Sequence, residues 1–106
     1  MSETAVGYIS TKQISNEIDR VIPTLGPEVV KVKYRIGPDT GGDPSIRFKI
    51  VLTDEACREG NLMRVSRRVE GILLDELHPY ENWDMHLYTS FRSHSEHLAI
   101  NDPSWA

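Results

Sequence analysis

The most regular pattern in the chain is an alternation of apolar and polar positions in two neighbouring stretches, residues 28–36 (EVVKVKYRI) and 46–53 (IRFKIVLT). Successive side chains of a β-strand point to opposite faces, so such alternation predicts a strand with one buried face. The predicted apolar face carries Val30, Val32, Tyr34, Ile36, Ile46, Phe48, Ile50 and Leu52. The pattern therefore predicts two amphipathic strands that share one core.

The segment between these strands, Gly37 to Ser45 (GPDTGGDPS), has the composition of a chain reversal. Gly41 and Gly42 are expected to supply the positive φ angles that the turn requires. A hairpin centred on them predicts four cross-strand pairs: Tyr34 with Phe48, Val32 with Ile50, Arg35 with Arg47 and Lys33 with Lys49. A shift of one residue would destroy the apolar face, so the register is well specified.

Two further stretches have helical spacing. Ser10 to Gln13 fits a capping box, and the first helix that follows ends at Pro23 and the Gly26-Pro27 pair. Its apolar positions are Ile14, Ile18, Val21 and Ile22. Thr53 or Asp54 is a candidate cap for a second helical region, which Gly60-Asn61 interrupts and His78-Pro79 ends. Its apolar stripe contains Leu62, Val65, Val69, Ile72, Leu73 and Leu77.

A third strand is predicted from about Trp83 to Phe91. Its apolar face would carry Trp83, Met85, Leu87, Thr89 and Phe91, and its other face Asp84, His86, Tyr88, Ser90 and Arg92. The element order α-β-β-α-β predicts a single α+β domain, residues 1–106, with two helices packed on one face of a three-stranded sheet. The strand order stays open. Residues 1–9 are expected to be a loose lead-in, and residues 93–106 a polar C-terminal tail or an edge-covering segment.

The core expected from these patterns combines both helices and all three strands. It contains Ile14, Ile18, Val21, Val30, Val32, Tyr34, Phe48, Ile50, Leu52, Leu62, Val65, Val69, Ile72, Leu73, Met85 and Leu87.

The polar face of the predicted sheet is strongly basic, although the chain has a net charge of -4. It holds six of the 12 lysines and arginines, with Asp84 as its one acid. An anion-binding surface is therefore predicted at Lys31, Lys33, Arg35, Arg47, Lys49, Tyr88 and Arg92. Lysine and arginine contact phosphates, and a tyrosine on a sheet can stack on an unpaired base. The alternatives are a solvated face whose lysines deter aggregation, or a face neutralised by the acids of a second protomer.

The sequence gives little indication of disulfide bonds, membrane insertion, secretion or catalysis. Cys57 is the single cysteine, no apolar run approaches the about 20 residues of a membrane span, and the N-terminus lacks the features of a secretory signal. A cytoplasmic protein without disulfides is expected. There is no nucleophile elbow and no phosphate-binding glycine loop, so no catalytic residue and no enzymatic activity are predicted.

Metal ligation has two candidate groups in the sequence. His86, His94 and His97 lie near Asp84 and Glu96, and imidazoles with a carboxylate suit zinc. Asp39 and Asp43 flank the glycines of the hairpin loop. Neither group has the spacing of a metal motif, so the sequence predicts no metal and no cofactor.

The Gly42-Asp43-Pro44 segment and the residues 88–96 (YTSFRSHSE) resemble a group of small uncharacterised bacterial proteins, over about Val29 to Glu96. That resemblance implies no activity. The α-β-β-α-β order is also similar to KH-like ribosome-associated domains and to the cytoplasmic domains of cation-efflux transporters. The chain lacks the G-x-x-G loop of the former and the preceding membrane spans of the latter, and fold does not fix function.

The favoured function is therefore a non-enzymatic binding module whose basic, open sheet face meets an anionic partner, with RNA as the leading candidate. The alternative is a homodimeric structural or regulatory protein–protein module whose basic face meets an acidic surface, without a nucleic-acid or metal ligand. A homodimer is expected in preference to a monomer because a small sheet has two accessible edges.

Overall fold

The computed structural model describes residues 10–105, so the predicted lead-in at residues 1–9 lies outside the described part. The main elements are α1 (Thr11–Val21), β1 (Val29–Pro38), β2 (Pro44–Leu52), α2 (Leu62–Leu77), α3 (Pro79–Trp83), β3 (His86–Ser93) and α4 (His94–Ala99). Short 3₁₀ turns follow α1 (Ile22–Leu25), β2 (Glu55–Cys57) and α4 (Pro103–Trp105). The predicted α+β class is confirmed, with α1 and α2 on one face of a three-stranded sheet.

The sheet has the strand order β1-β2-β3, with β2 in the centre. β1 pairs with β2 in the antiparallel direction, and β3 pairs with β2 in the parallel direction. The predicted hairpin register is confirmed, because Tyr34 pairs with Phe48 and Arg35 with Arg47. Together, the β1–β2 and β2–β3 registers align the side chains of the three strands in rows across the sheet.

The first main helix begins at a hydrogen-bonded cap, and the second begins shortly after a glycine with a positive φ. Ser10 and Gln13 form the predicted capping box, in which each side-chain oxygen accepts a hydrogen bond from the other's backbone N–H at 3.1 Å. α2 begins two residues after Gly60, whose φ of +88° places it in the left-handed region. The buried residues of the two helices recur at intervals of three or four: Ile14, Ile18 and Val21 in α1, and Val65, Val69, Leu73 and Leu77 in α2.

Two residues predicted to lie in the core are exposed. A β-bulge lies between Val29 and Lys31, which pair with Leu52 and Val51, so Val30 has no pairing partner and is 45% exposed. Val29 packs on the core in its place. Leu62 is 40% exposed because it is the first residue of α2, ahead of the turn that contacts the sheet.

The predicted start of the third strand is also wrong. β3 begins at His86, whereas Trp83 ends the short helix α3 and is buried there. Asp84 follows with a left-handed φ of +53°, which a strand cannot contain. Asp84 therefore does not lie on the basic face. The alternating pattern of residues 83–91 did not indicate where the helix ends, because Trp83 would be buried at the end of a helix or at the start of a strand.

The residues after β3 pack against the sheet. α4 follows β3 directly, and the 3₁₀ turn at Pro103–Trp105 brings Trp105 to 8% exposure. Val51, on the sheet face opposite α1 and α2, is 1% exposed. That second face is therefore partly covered. Across residues 10–105, no helix is both long enough and apolar enough to cross a bilayer.

Candidate functional site

The sheet face opposite α1 and α2 carries three rows of side chains that follow from the strand register. The rows are Arg35–Arg47–Tyr88, Lys33–Lys49–Ser90 and Lys31–Val51–Arg92. All seven residues predicted for anion binding thus occupy one surface. We call this surface the basic face, defined by Lys31, Lys33, Arg35, Arg47, Lys49, Tyr88 and Arg92.

One half of the basic face contacts a C-terminal segment, which we define as Asp102 to Trp105. The Nζ atom of Lys49 donates to the Ser104 carbonyl at 3.0 Å, and the Nζ atom of Lys31 donates to the Trp105 carbonyl at 3.4 Å. These carbonyl oxygens accept hydrogen bonds from ammonium groups as an anionic ligand would. The two lysines therefore contribute to holding the C-terminal segment.

Arg92 lies beneath the same segment. Its guanidinium carbon is 4.2 Å from the centre of the Trp105 ring, and its Nη2 is 3.8 Å from Oδ2 of Asp102. The side chain is only 14% exposed, so a charge partner and an aromatic ring together offset its desolvation. Hydrogen bonds from the backbone and hydroxyl of Ser104 hold the pKa of Asp102 below its usual value. Arg92 is therefore a structural cation as much as a candidate ligand.

The other half of the basic face is accessible. Among the residues described, no carboxylate lies within 4.0 Å of the charged ends of Lys33, Arg35 or Arg47. The three side chains and Lys49 line a groove of about 520 Å³, and Ser104 of the C-terminal segment forms part of its wall. A volume of this size falls in the range of small-ligand sites. The charges needed to bind an anion are therefore free at this end.

Tyr88 adds an aromatic surface beside the free cations. Its ring lies 5.8 Å from the Arg47 guanidinium and the residue is 45% exposed. Its hydroxyl donates to Oδ2 of Asp39 at 2.9 Å, which raises the pKa of Tyr88 and lowers that of Asp39. The hydrogen bond fixes the ring at the groove end and keeps the Asp39 carboxylate ionised.

The three histidines suggested as a metal group do not form one cluster. His86 begins β3, whereas His94 and His97 follow its last residue. Eight residues of extended chain separate His86 from His94 by about 26 Å. The Nε2 atom of His86 lies instead 3.9 Å from Oδ2 of Asp43, in the hairpin turn.

The single cysteine, Cys57, is partly buried. Burial raises the pKa of the Cys57 thiol, and the nearby carboxylates of Asp54 and Glu96 raise it further. A thiol is nucleophilic as its thiolate, which this environment disfavours at neutral pH.

Two parts of this surface escaped the sequence analysis. Trp105 and Asp102 lie in a polar stretch without periodicity, and a lone tryptophan there was the single signal of a packed segment. The Tyr88–Asp39 contact joins residues 49 positions apart, so it required the strand order.

Comparison of the chain with protein-family models, with curated proteins and with solved structures finds no match. The resemblance to small bacterial proteins therefore stays a prediction, and the functional argument rests on the geometry of the basic face.

Proposed function

We propose that this protein is a non-enzymatic binding module that binds single-stranded RNA through the accessible half of its basic face. The observation that carries the proposal is the row of free cations, Lys33, Arg35 and Arg47, beside the exposed ring of Tyr88. We further propose that it acts in the cytoplasm, where its free Cys57 would stay reduced.

The side chains of this surface would bind different parts of the RNA, according to their chemistry. Arg35 and Arg47 are exposed and present planar guanidinium groups, which match phosphate oxygens in bidentate geometry. Tyr88 offers a ring on which a base can stack, and such stacking contributes about 1–3 kcal/mol per base without sequence preference. Because β3 lies beside β2, a phosphate on Arg47 and a base on Tyr88 would be neighbours.

The net negative charge of the chain means that RNA binding would depend on the basic face and not on the charge of the whole molecule. The chain carries 16 acidic and 12 basic side chains, so its net charge repels a polyanion. Binding would therefore depend on the local concentration of positive charge. Substitutions on the basic face should change affinity far more than equal charge changes elsewhere.

The test is a binding isotherm with a fluorescently labelled, mixed-sequence single-stranded RNA at several salt concentrations. We expect a Kd of about 1–100 μM for the wild-type chain, typical of sequence-independent binding. Contacts from Lys33, Arg35, Arg47 and Lys49 to four phosphates would give a slope of log K against log salt of about -3. Lys33→Glu/Arg47→Glu should abolish binding.

The matched control is Arg64→Glu/Arg67→Glu, which makes the same charge change on two exposed residues of α2. It should retain binding within about threefold, because charges beyond a Debye length of about 10 Å are largely screened. Equal loss in both double variants, or no binding by the wild-type chain at low salt, would contradict the proposal. An acidic protein partner would then be favoured for the basic face.

Homodimerisation is the second candidate. β1 is an edge strand of ten residues, and its outer side carries no other strand in the part of the chain that the structure describes. Two-fold antiparallel pairing of β1 with its copy would join two basic faces on one side of a six-stranded sheet. Sedimentation equilibrium at the concentrations that bind RNA should then give twice the chain mass; a single-chain mass would exclude it.

A further inference from the structure

Three side chains that commonly bind metals converge at the end of the basic face, beyond Arg35 and Arg47. They are Asp39 and Asp43, from the turn between β1 and β2, and His86, the first residue of β3. One ligand atom from each lies within 4.8 Å of the other two, and the closest measured approach is 3.9 Å, between His86 Nε2 and Asp43 Oδ2.

The fold holds these residues together through its backbone. The Asp39 N–H donates to the Asp43 carbonyl at 2.8 Å, and Gly42 closes the turn with its N–H on the Asp39 carbonyl at 2.9 Å. His86 is aligned with Ser45 by the parallel pairing of β3 with β2. Within the turn, Oδ1 of Asp39 also accepts hydrogen bonds from the N–H groups of Gly41 and Asp43 at 2.9 Å and 3.0 Å. The three positions are therefore fixed by the turn, including the Asp39 side chain, and by the strand register.

Asp39 is oriented from outside the group. Tyr88, on β3, donates its hydroxyl to Asp39 Oδ2 at 2.9 Å. Because Oδ1 already accepts two backbone hydrogen bonds, the second lone pair of Oδ2 is the one available to a metal ion. Hydrogen bonds of this kind, from a side chain behind the ligand, orient carboxylates in metal sites. The rings of Tyr80 and Tyr88 lie 6.0 Å and 6.2 Å from that of His86.

The charge of the group is not balanced by the cations nearby. Within residues 10–105, neither Asp39 nor Asp43 has a lysine or arginine nitrogen within 4.0 Å, although Arg35 and Arg47 lie on the same face. Two carboxylates at such close range repel each other. A divalent cation between them would offset this repulsion.

We propose that Asp39, Asp43 and His86 bind a divalent first-row transition-metal ion, for which Zn²⁺ is the probe. The imidazole favours zinc over magnesium or calcium, and three protein ligands leave a coordination position for water or an anionic ligand. Tetrahedral bonds would place the ligand atoms about 3.4 Å apart. The side chains of Asp43 and His86 are 66% and 45% exposed, so they can close the remaining distance by rotation.

This site shares Tyr88 with the proposed RNA-binding surface, but the proposal does not rest on RNA binding and is tested with the metal alone. Calorimetric titration of the full chain with zinc chloride should give one ion per chain and raise the melting temperature. His86→Gln and Asp43→Asn should each weaken zinc binding at least about tenfold. Tyr88→Phe, which retains all three ligands, should weaken it by about 10–100-fold because Asp39 loses its orienting hydrogen bond.

Two control variants remove one histidine and one carboxylate elsewhere. His94→Gln and Asp75→Asn are both exposed positions and should leave zinc affinity unchanged. Melting curves without metal establish that each variant folds. The proposal is overturned if the wild-type chain takes up no zinc, or if binding survives both His86→Gln and Asp43→Asn.

Discussion

On the basic face, residues of like charge pair across neighbouring strands, which lowers the stability of the fold. Arg35 stands opposite Arg47 and Lys33 opposite Lys49, although like charges in these positions are destabilising. Lys49 donates to the Ser104 carbonyl, which relieves one of these pairs in part. Arg35 and Arg47 have no comparable relief in the part of the chain that the structure covers. A bound phosphate would supply it, which ties the unfavourable pairing to the proposed function.

Gly42 has a residue-scale role that can be isolated from packing. Its φ of +88° is strained for any L side chain, and no atom lies within 4 Å of an added Cβ. Gly42→Ala should therefore lower the free energy of unfolding by about 1–2 kcal/mol through the backbone alone. Gly41→Ala, where φ is not positive, is the control and should cost clearly less. Urea denaturation measures both; equal losses would exclude this explanation.

The elements of the fold differ in how far the sequence predicted them. Regular alternation predicted β1, β2 and their register, because a one-residue slip would expose the whole apolar face. The bulge at Val30 was not predicted, since Val29 and Val30 are both apolar and either could occupy the buried face. The start of β3 was missed because Trp83 fits the apolar face of the strand pattern and Asp84 its polar face, although aspartate also tolerates the left-handed conformation that it adopts here.

The sequence predicted the basic residues of the candidate site, but it did not predict that the C-terminal segment packs on part of their surface. The strand period of two placed all seven residues on one face, which the register confirms as a spatial arrangement. The C-terminal segment packs through one tryptophan and two backbone carbonyls. Carbonyl groups are common to every residue, so no sequence pattern indicates which of them will accept a hydrogen bond.

The C-terminal segment is expected to be a stabilising element. Trp105 is nearly buried and contacts Arg92 and Lys49. Trp105→Ala should lower the free energy of unfolding by about 3 kcal/mol, since it removes a large, nearly buried aromatic side chain. Leu98→Ala, on a residue that is 72% exposed in α4, should change it by less than about 0.5 kcal/mol. Chemical denaturation followed by circular dichroism compares them, and equal effects would mean that the segment does not anchor to the sheet.

At the scale of the whole molecule, three carboxylates with lowered pKa values link stability to pH. Hydrogen bonds from Tyr88, Ser95 and Ser104 lower the pKa values of Asp39, Asp54 and Asp102 respectively. A carboxyl with a lowered pKa in the folded state stabilises the fold above its unfolded pKa, and this contribution disappears as the pH falls through the folded value. Stability should therefore decline below about pH 4.

Asp54→Asn tests this linkage, because Asp54 accepts hydrogen bonds from both the backbone and the hydroxyl of Ser95 and so joins the segment after β2 to α4. The variant should melt at a lower temperature at neutral pH, and its melting temperature should fall less steeply between pH 5 and pH 3. Asp75→Asn should reproduce the wild-type curve. Parallel curves for wild type and Asp54→Asn would show that Asp54 does not contribute.

The central claim is that the accessible half of the basic face is the anion-binding surface. The most direct measurement is an NMR titration of the ¹⁵N-labelled chain with a short single-stranded RNA, following backbone amides and arginine Nε–H groups. We expect the largest shifts at Arg35, Arg47 and the backbone amide of Tyr88, with little change on the outer surface of α2. Shifts confined to α1 or α2, or no shifts at low salt, would contradict the claim.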